Sequence, residues 1–82
     1  MAKYRVVFRP MAVEHLRLVP FPFRRQLNQR LFSLMEVPRP AGSEMIDDEI
    51  YRLMVHGWFI LYQVDDAIQT ITVLSFQPAV LS

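Results

Sequence analysis

The sequence contains no cysteine, which excludes a disulfide framework and any thiolate metal site. It has no run of about 18 or more apolar residues, the length that a membrane-crossing helix needs. The opening residues MAKYRVVFRP lack a signal peptide's long apolar stretch and read directly into a strand, so a cytoplasmic location is expected and no membrane partner. There is no glycine-rich phosphate loop, no Walker signature and no Gly-x-Ser-x-Gly. Ser33, Ser43, Ser75 and Ser82 stand in no local context that would make a nucleophile. His15 and His56 lie far apart without ligand spacing. Neither a metal, nor a cofactor, nor a small-molecule substrate is expected.

What is present fits one small domain spanning residues 1–82, near the lower size limit for folding without staples. An apolar share of 52% is high for so short a chain, which suggests apolar surface reserved for a partner. Net charge is only +1, but it is unevenly spread. Up to Ala41 eight basic residues face two acidic ones; from Gly42 onward Arg52 stands alone against six acids. Eight of the nine basic residues are arginine, the type that forks onto phosphate and carboxylate. That preference suits RNA and an acidic peptide equally, and a solvated basic helix beside acidic turns accounts for the same asymmetry.

Two alternating apolar runs dominate the second half, Ile50 to Val55 and Trp58 to Val64, joined at His56-Gly57. β-Branched and aromatic residues around a two-residue X-Gly link specify a tight hairpin. Before it, Lys3 to Arg9 alternates Tyr4, Val6 and Phe8 inward against Arg5, Val7 and Arg9. A short helix is expected from Pro10 to about Val19, with Ala12, Leu16 and Val19 on one side, stopped by Pro20 and Pro22. A second runs from Phe23 to Val37, where Phe23, Leu27, Leu31 and Leu34 form an apolar stripe. PRPAGSE reads as an irregular connector, and Glu44, Asp47, Asp48 and Glu49 read as an acidic loop. The last strand is placed at Ile68 to Phe76, with Pro78 ending the ladder. The expected architecture is α+β, in the order β-α-α-β-β-β. It is a four-stranded antiparallel sheet carrying an αα hairpin on one face.

Strand parity separates a helix-facing set from a second face. That face comprises Arg52, Met54, His56, Phe59, Leu61, Gln63, Thr70 and Thr72, with Leu74 beside them and Arg5, Val7 and Arg9 at its border. Large apolar groups among basic and hydroxyl residues mark an interaction surface.

The order of these pieces resembles the RelE/ParE superfamily, the toxin halves of bacterial type II toxin–antitoxin systems. The likeness runs through YRVVFRPMA, an arginine-rich second helix ending in VPRPAGS, Tyr51-Arg52-Leu53, Gly57, Ile60-x-Tyr62-x-Val64-Asp65-Asp66 and a final apolar strand. The resemblance implies a cognate antitoxin whose extended segment wraps the toxin, with Arg52, Met54, Phe59, Leu61, Arg24 and Arg25 as candidate contacts. RelE-like members cut mRNA on the ribosome, using basic and aromatic groups on the open sheet face. ParE-like members poison DNA gyrase instead.

Carried over position by position, Arg52 stands where a basic residue is expected, but Met54 fills the next such position. Phe59 replaces the arginine of the family's Gly-Tyr-Arg-Ile-x-Tyr strand, and Phe76 to Ser82 holds neither a basic residue nor a tyrosine. Glu44 falls near a general-base position of one RelE-like branch. The resemblance therefore leaves three readings: a toxin that acts by binding, as ParE-like members do; an mRNA endonuclease built on Arg52, His56 and Glu44; or a non-toxic homologue that only binds.

Overall fold

The computed structural model describes residues 3–79. The chain runs β1 (Arg5–Phe8), α1 (Pro10–Leu18), α2 (Phe21–Glu36), β2 (Glu44–Asp47), β3 (Ile50–Val55), β4 (Trp58–Asp65) and β5 (Thr70–Pro78). The sheet therefore has five strands rather than four, in the order β1-β5-β4-β3-β2. It is mixed rather than antiparallel: β2 through β5 form an antiparallel meander, and β1 joins β5 in parallel.

Both corrections have a local cause. A helical hairpin between β1 and the meander carries the chain across the sheet, so β1 reaches the far edge alongside β5 with no turn to reverse its sense. β2 is the segment expected to be an acidic loop. It is four residues long, two of them acidic, and its register against β3 shifts between Met45 and Asp47. Charge, shortness and irregularity are how edge strands resist unwanted pairing, and they also erase the alternation by which a strand is read.

α1 begins at Pro10, whose missing N–H costs nothing in a first turn. α2 begins two residues earlier than its stripe suggests, because Pro20 flanks it and Pro22 lies in the first turn. Only Val19 and Pro20 separate the helices, and the Arg24 guanidinium closes the corner by donating to the carbonyl oxygens of Arg17 and Val19 at 3.2 Å each. That is a C-terminal cap for α1 supplied by its neighbour.

The core lies between the helices and one face of the sheet. Ala12, Val19, Leu27, Leu31 and Leu34 from the helices meet Leu53, Val55, Ile60, Tyr62, Val64, Ile71, Val73 and Phe76. Tyr4 and Val6 pack against it, while Phe8 is half exposed with its ring 6.3 Å from that of Phe76. Phe23, the first residue of the expected stripe, is half exposed as well. At the β3–β4 link both His56 and Gly57 have positive φ, at 50° and 84°, the signature of a type I′ hairpin. β5 runs later than expected, since Pro78 pairs with Trp58 and the Ala79 N–H reaches the Gly57 carbonyl. No helix among the described residues is long and apolar enough to cross a membrane.

Candidate functional site: the open face of the sheet

The face turned away from the helices is built in rows by the strand register. Glu44, Arg52, Leu61 and Ser75 share one row across β2, β3, β4 and β5. Met54, Phe59 and Gln77 form the row beside it, and Ile50, Gln63 and Thr72 the row on the other side. A register shift between Leu61 and Tyr62 leaves Leu74 as the extra residue on β5, which brings Ser75 and Gln77 onto the open face. Sequence alternation alone could not show this, because it carries parity unbroken to the strand's end. Thr70 keeps the expected side but is buried at the strand's start, where its hydroxyl donates to the Ile68 carbonyl.

At the centre of these rows Arg52 pairs with Glu44, and its guanidinium carbon sits 4.7 Å above the centre of the Phe59 ring. The arginine is held between an anion on one neighbouring strand and an aromatic face on the other. Each fixes its direction. Met54 is exposed next to them, and Phe59 and Leu61 are half-buried. Within the three rows on β3, β4 and β5, Arg52 is the one cation among the described residues. Arg5 and Arg9 belong to the β1 border.

His56 does not join this group. It occupies the hairpin tip four residues beyond Arg52, roughly 13 Å along the strand, and lines a groove facing α2. Of the three residues expected to act together, the fold unites Arg52 and Glu44 and sets His56 apart. His15 is engaged elsewhere, its Nδ1 accepting the Phe76 N–H at 3.3 Å. The arginine pair on α2 divides as well. Arg24 is spent on the α1 cap, while Arg25 is exposed beside Phe21, Asn28, Gln29 and Phe32. Among the described residues no three His, Asp or Glu side chains gather to hold a metal ion. The positions Val80 to Ser82 lie outside the described residues.

A second polar cluster, on the helix side, had no local signal. Arg39 from the connector after α2 binds Asp66 of the β4–β5 turn and the Tyr51 hydroxyl, and Tyr4 also donates to Asp66. Beneath it the Tyr62 hydroxyl donates to the Pro38 carbonyl at 2.8 Å, and the Tyr51 and Tyr62 rings stack at 5.8 Å. These contacts turn PRPAGSE from a free connector into a strap. Its partners are distant in sequence, which is why spacing could not reveal them.

The sequence matches no protein-family model and no curated protein. Solved structures do match. The isolated Escherichia coli RelE toxin superposes with a TM-score of 0.85 at 26% identity, over 96% of this chain and 87% of that one. The chain belongs to the RelE/ParE toxin superfamily. A chain of the intact E. coli RelBE toxin–antitoxin complex gives 0.84 and 26%, over 95% and 99%. The archaeal RelE–RelB complex of Pyrococcus horikoshii gives 0.84 at 20%, over 98% and 99%, a likeness of fold. In the rows on β3, β4 and β5 the open face of this chain presents one cation among the described residues, Arg52, and it is paired to Glu44.

Proposed function

We propose that this chain is the toxin half of a type II toxin–antitoxin module, neutralised by a cognate antitoxin segment, and that it acts by binding its target rather than by cutting RNA. The observation that carries the second part is the state of Arg52. Stabilising a crowded phosphorane takes several donors aimed at the developing charge, and here the rows on β3, β4 and β5 offer one guanidinium among the described residues, paired with Glu44 and stacked on Phe59. The antitoxin part is supported by the solved toxin–antitoxin complexes of similar chains, and by exposed Met54 beside half-buried Phe59 and Leu61. DNA gyrase, the target of ParE-like members, is the candidate target.

One observation favours ribosome-dependent mRNA cleavage instead: Glu44 and Arg52, an acid–base candidate and a cation, touch on the open face. Induced expression in the cytoplasm without the antitoxin separates the readings. Growth arrest with gyrase-linked DNA breaks and intact mRNA is the expected result. Arrest with mRNA cut on the ribosome would replace it by the endonuclease reading, and unimpaired growth would leave only a binding module.

A further inference from the structure

The α2 surface carries Gln26, Gln29, Arg30 and Ser33 at spacings of three, one and three residues, which puts all four on one helix face. None is acidic; each presents a hydrogen-bonding group, and one is a cation. Across from them stand Met54 and Val55 of β3 and His56 of the hairpin tip, and together these seven residues line a groove of about 450 Å³. The groove exists because β2 is short. β2 pairs only with Ile50 to Arg52, so Leu53 to Val55 form an outer strand edge with no neighbour among the described residues, and α2 runs beside that gap.

Three features distinguish the groove from an ordinary polar surface. Arg30 is half-buried and makes no ion pair or side-chain hydrogen bond among the described residues. The Gln26 side-chain oxygen is buried with no hydrogen-bond partner, a state that normally costs free energy unless a ligand or water relieves it. His56 occupies a position with φ of 50°, where Asn, Asp or Gly would be the easier choice. The Ser33 hydroxyl already donates to the Gln29 carbonyl at 3.3 Å, which leaves a guanidinium, an imidazole and two carboxamides around an otherwise open space. These match an oxyanion carried on a group that can also donate a hydrogen bond.

We propose that this groove is a binding site for a phosphate monoester on a hydroxyl-bearing carrier, with Arg30 taking the phosphate, His56 flanking it, and the Gln26 oxygen accepting from a carrier hydroxyl. The site lies apart from the Arg52–Glu44 pair and does not depend on the toxin reading. The volume suits a sugar phosphate or a single nucleotide, and the same chemistry is offered by the 5′-phosphorylated end of an oligonucleotide.

The test is amide-detected NMR titration of the full chain with inorganic phosphate, ribose 5-phosphate, unphosphorylated ribose, and a hexanucleotide with and without a 5′-phosphate. Saturable shifts at residues 26–33 and 54–57 with ribose 5-phosphate, and weaker binding of inorganic phosphate, are expected. Arg30→Gln should weaken ribose 5-phosphate by about tenfold or more, whereas Arg17→Gln, a surface arginine elsewhere, should leave it unchanged. Gln26→Leu should reduce the preference for ribose 5-phosphate over inorganic phosphate. Tighter binding of the phosphorylated hexanucleotide than of ribose 5-phosphate assigns the carrier to a nucleic-acid end; the reverse order assigns it to a free sugar phosphate. Shifts that ribose produces as strongly as ribose 5-phosphate, an Arg30→Gln protein that is folded by circular dichroism and binds equally well, or the absence of saturable shifts at the groove with every phosphate probe would each overturn the proposal.

Discussion

Arg39 and Asp66, 27 residues apart in the chain, meet as a two-pronged ion pair with N–O distances of 2.8 and 3.2 Å. Through Nε the same guanidinium donates to the Tyr51 hydroxyl at 2.8 Å, with its carbon 5.3 Å from the centre of that ring. The pair joins the connector after α2 to β3 and to the β4–β5 turn, and Tyr4 brings in the residue just before β1. The Asp66 carboxyl is held below the usual carboxylate range, first by the hydrogen bonds from Arg39 and then by that from Tyr4.

A depressed folded-state pKa makes a contribution to stability that is present above the unfolded value of about 4. It vanishes as the pH falls through the lower folded value. Asp66→Asn should therefore melt below the wild type at neutral pH, and the two melting curves should converge in strong acid. Calorimetry across that range checks this. A gap of constant size from neutral pH to strong acid would mean that the carboxylate's charge is not what the clamp uses.

Tyr62 provides the alkaline counterpart. Burial, the main cause, raises its pKa above the ordinary tyrosine value, and its hydroxyl spans to the Pro38 carbonyl. For a group raised on folding, the stabilisation is complete below the unfolded value of about 10 and is lost as the pH climbs through the folded one. Tyr62→Phe should cost about 1 kcal/mol at neutral pH, read as a lower urea midpoint at unchanged slope. It should also flatten the decline of stability above about pH 10, where the wild type must ionise a buried phenol.

These two contacts show where the sequence could be read and where it could not. Leu27, Leu31 and Leu34 repeat at helical spacing, and Leu53, Val55, Ile60, Tyr62 and Val64 alternate, so both sides of the core follow from period alone. His56-Gly57 announces its own turn. Arg52 and Phe59 stand diagonally across that turn's register, in neighbouring rows of one face, and alternation fixes this too. By contrast, β2 hides its strand under two acidic residues, and the β5 bulge at Leu74 changes parity partway along. The two partners of Arg39, Tyr51 and Asp66, come from β3 and from the β4–β5 turn. Periodicity reports what a residue does relative to its own element. It carries no information about an edge strand's irregular pairing or about which distant side chain a connector will meet.

Gly57 tests the turn that sets this register. Its φ is 84°, and a methyl group added there would touch nothing within 4 Å. The cost of Gly57→Ala is then conformational alone, about 1–2 kcal/mol, without steric repair elsewhere. His56→Asn should move the other way by a few tenths of a kcal/mol, since Asn accepts the left-handed region more readily. Chemical denaturation of the two variants checks both signs. A neutral Gly57→Ala would mean that the hairpin tolerates another turn type.

The open face can be dissected through Arg52 and its two neighbours. Glu44 and Arg52 are both substantially exposed, so their coupling in a double-mutant cycle should be small, under about 1 kcal/mol of stability. Arg52→Ala should accordingly leave the fold intact. If target recognition uses this face, the same variant should lose toxicity on induction, and Glu44→Gln should keep or increase it by releasing the guanidinium. General-base catalysis by Glu44 requires the opposite, because removing the carboxylate then abolishes toxicity while Arg52 is untouched. Phe59 separates target binding from neutralisation. If its ring is a buried anchor for the antitoxin, Phe59→Ala should weaken that complex by about 1–3 kcal/mol. An unchanged dissociation constant would place the antitoxin away from this row, and full toxicity in a folded Arg52→Ala protein would remove the face from the mechanism altogether.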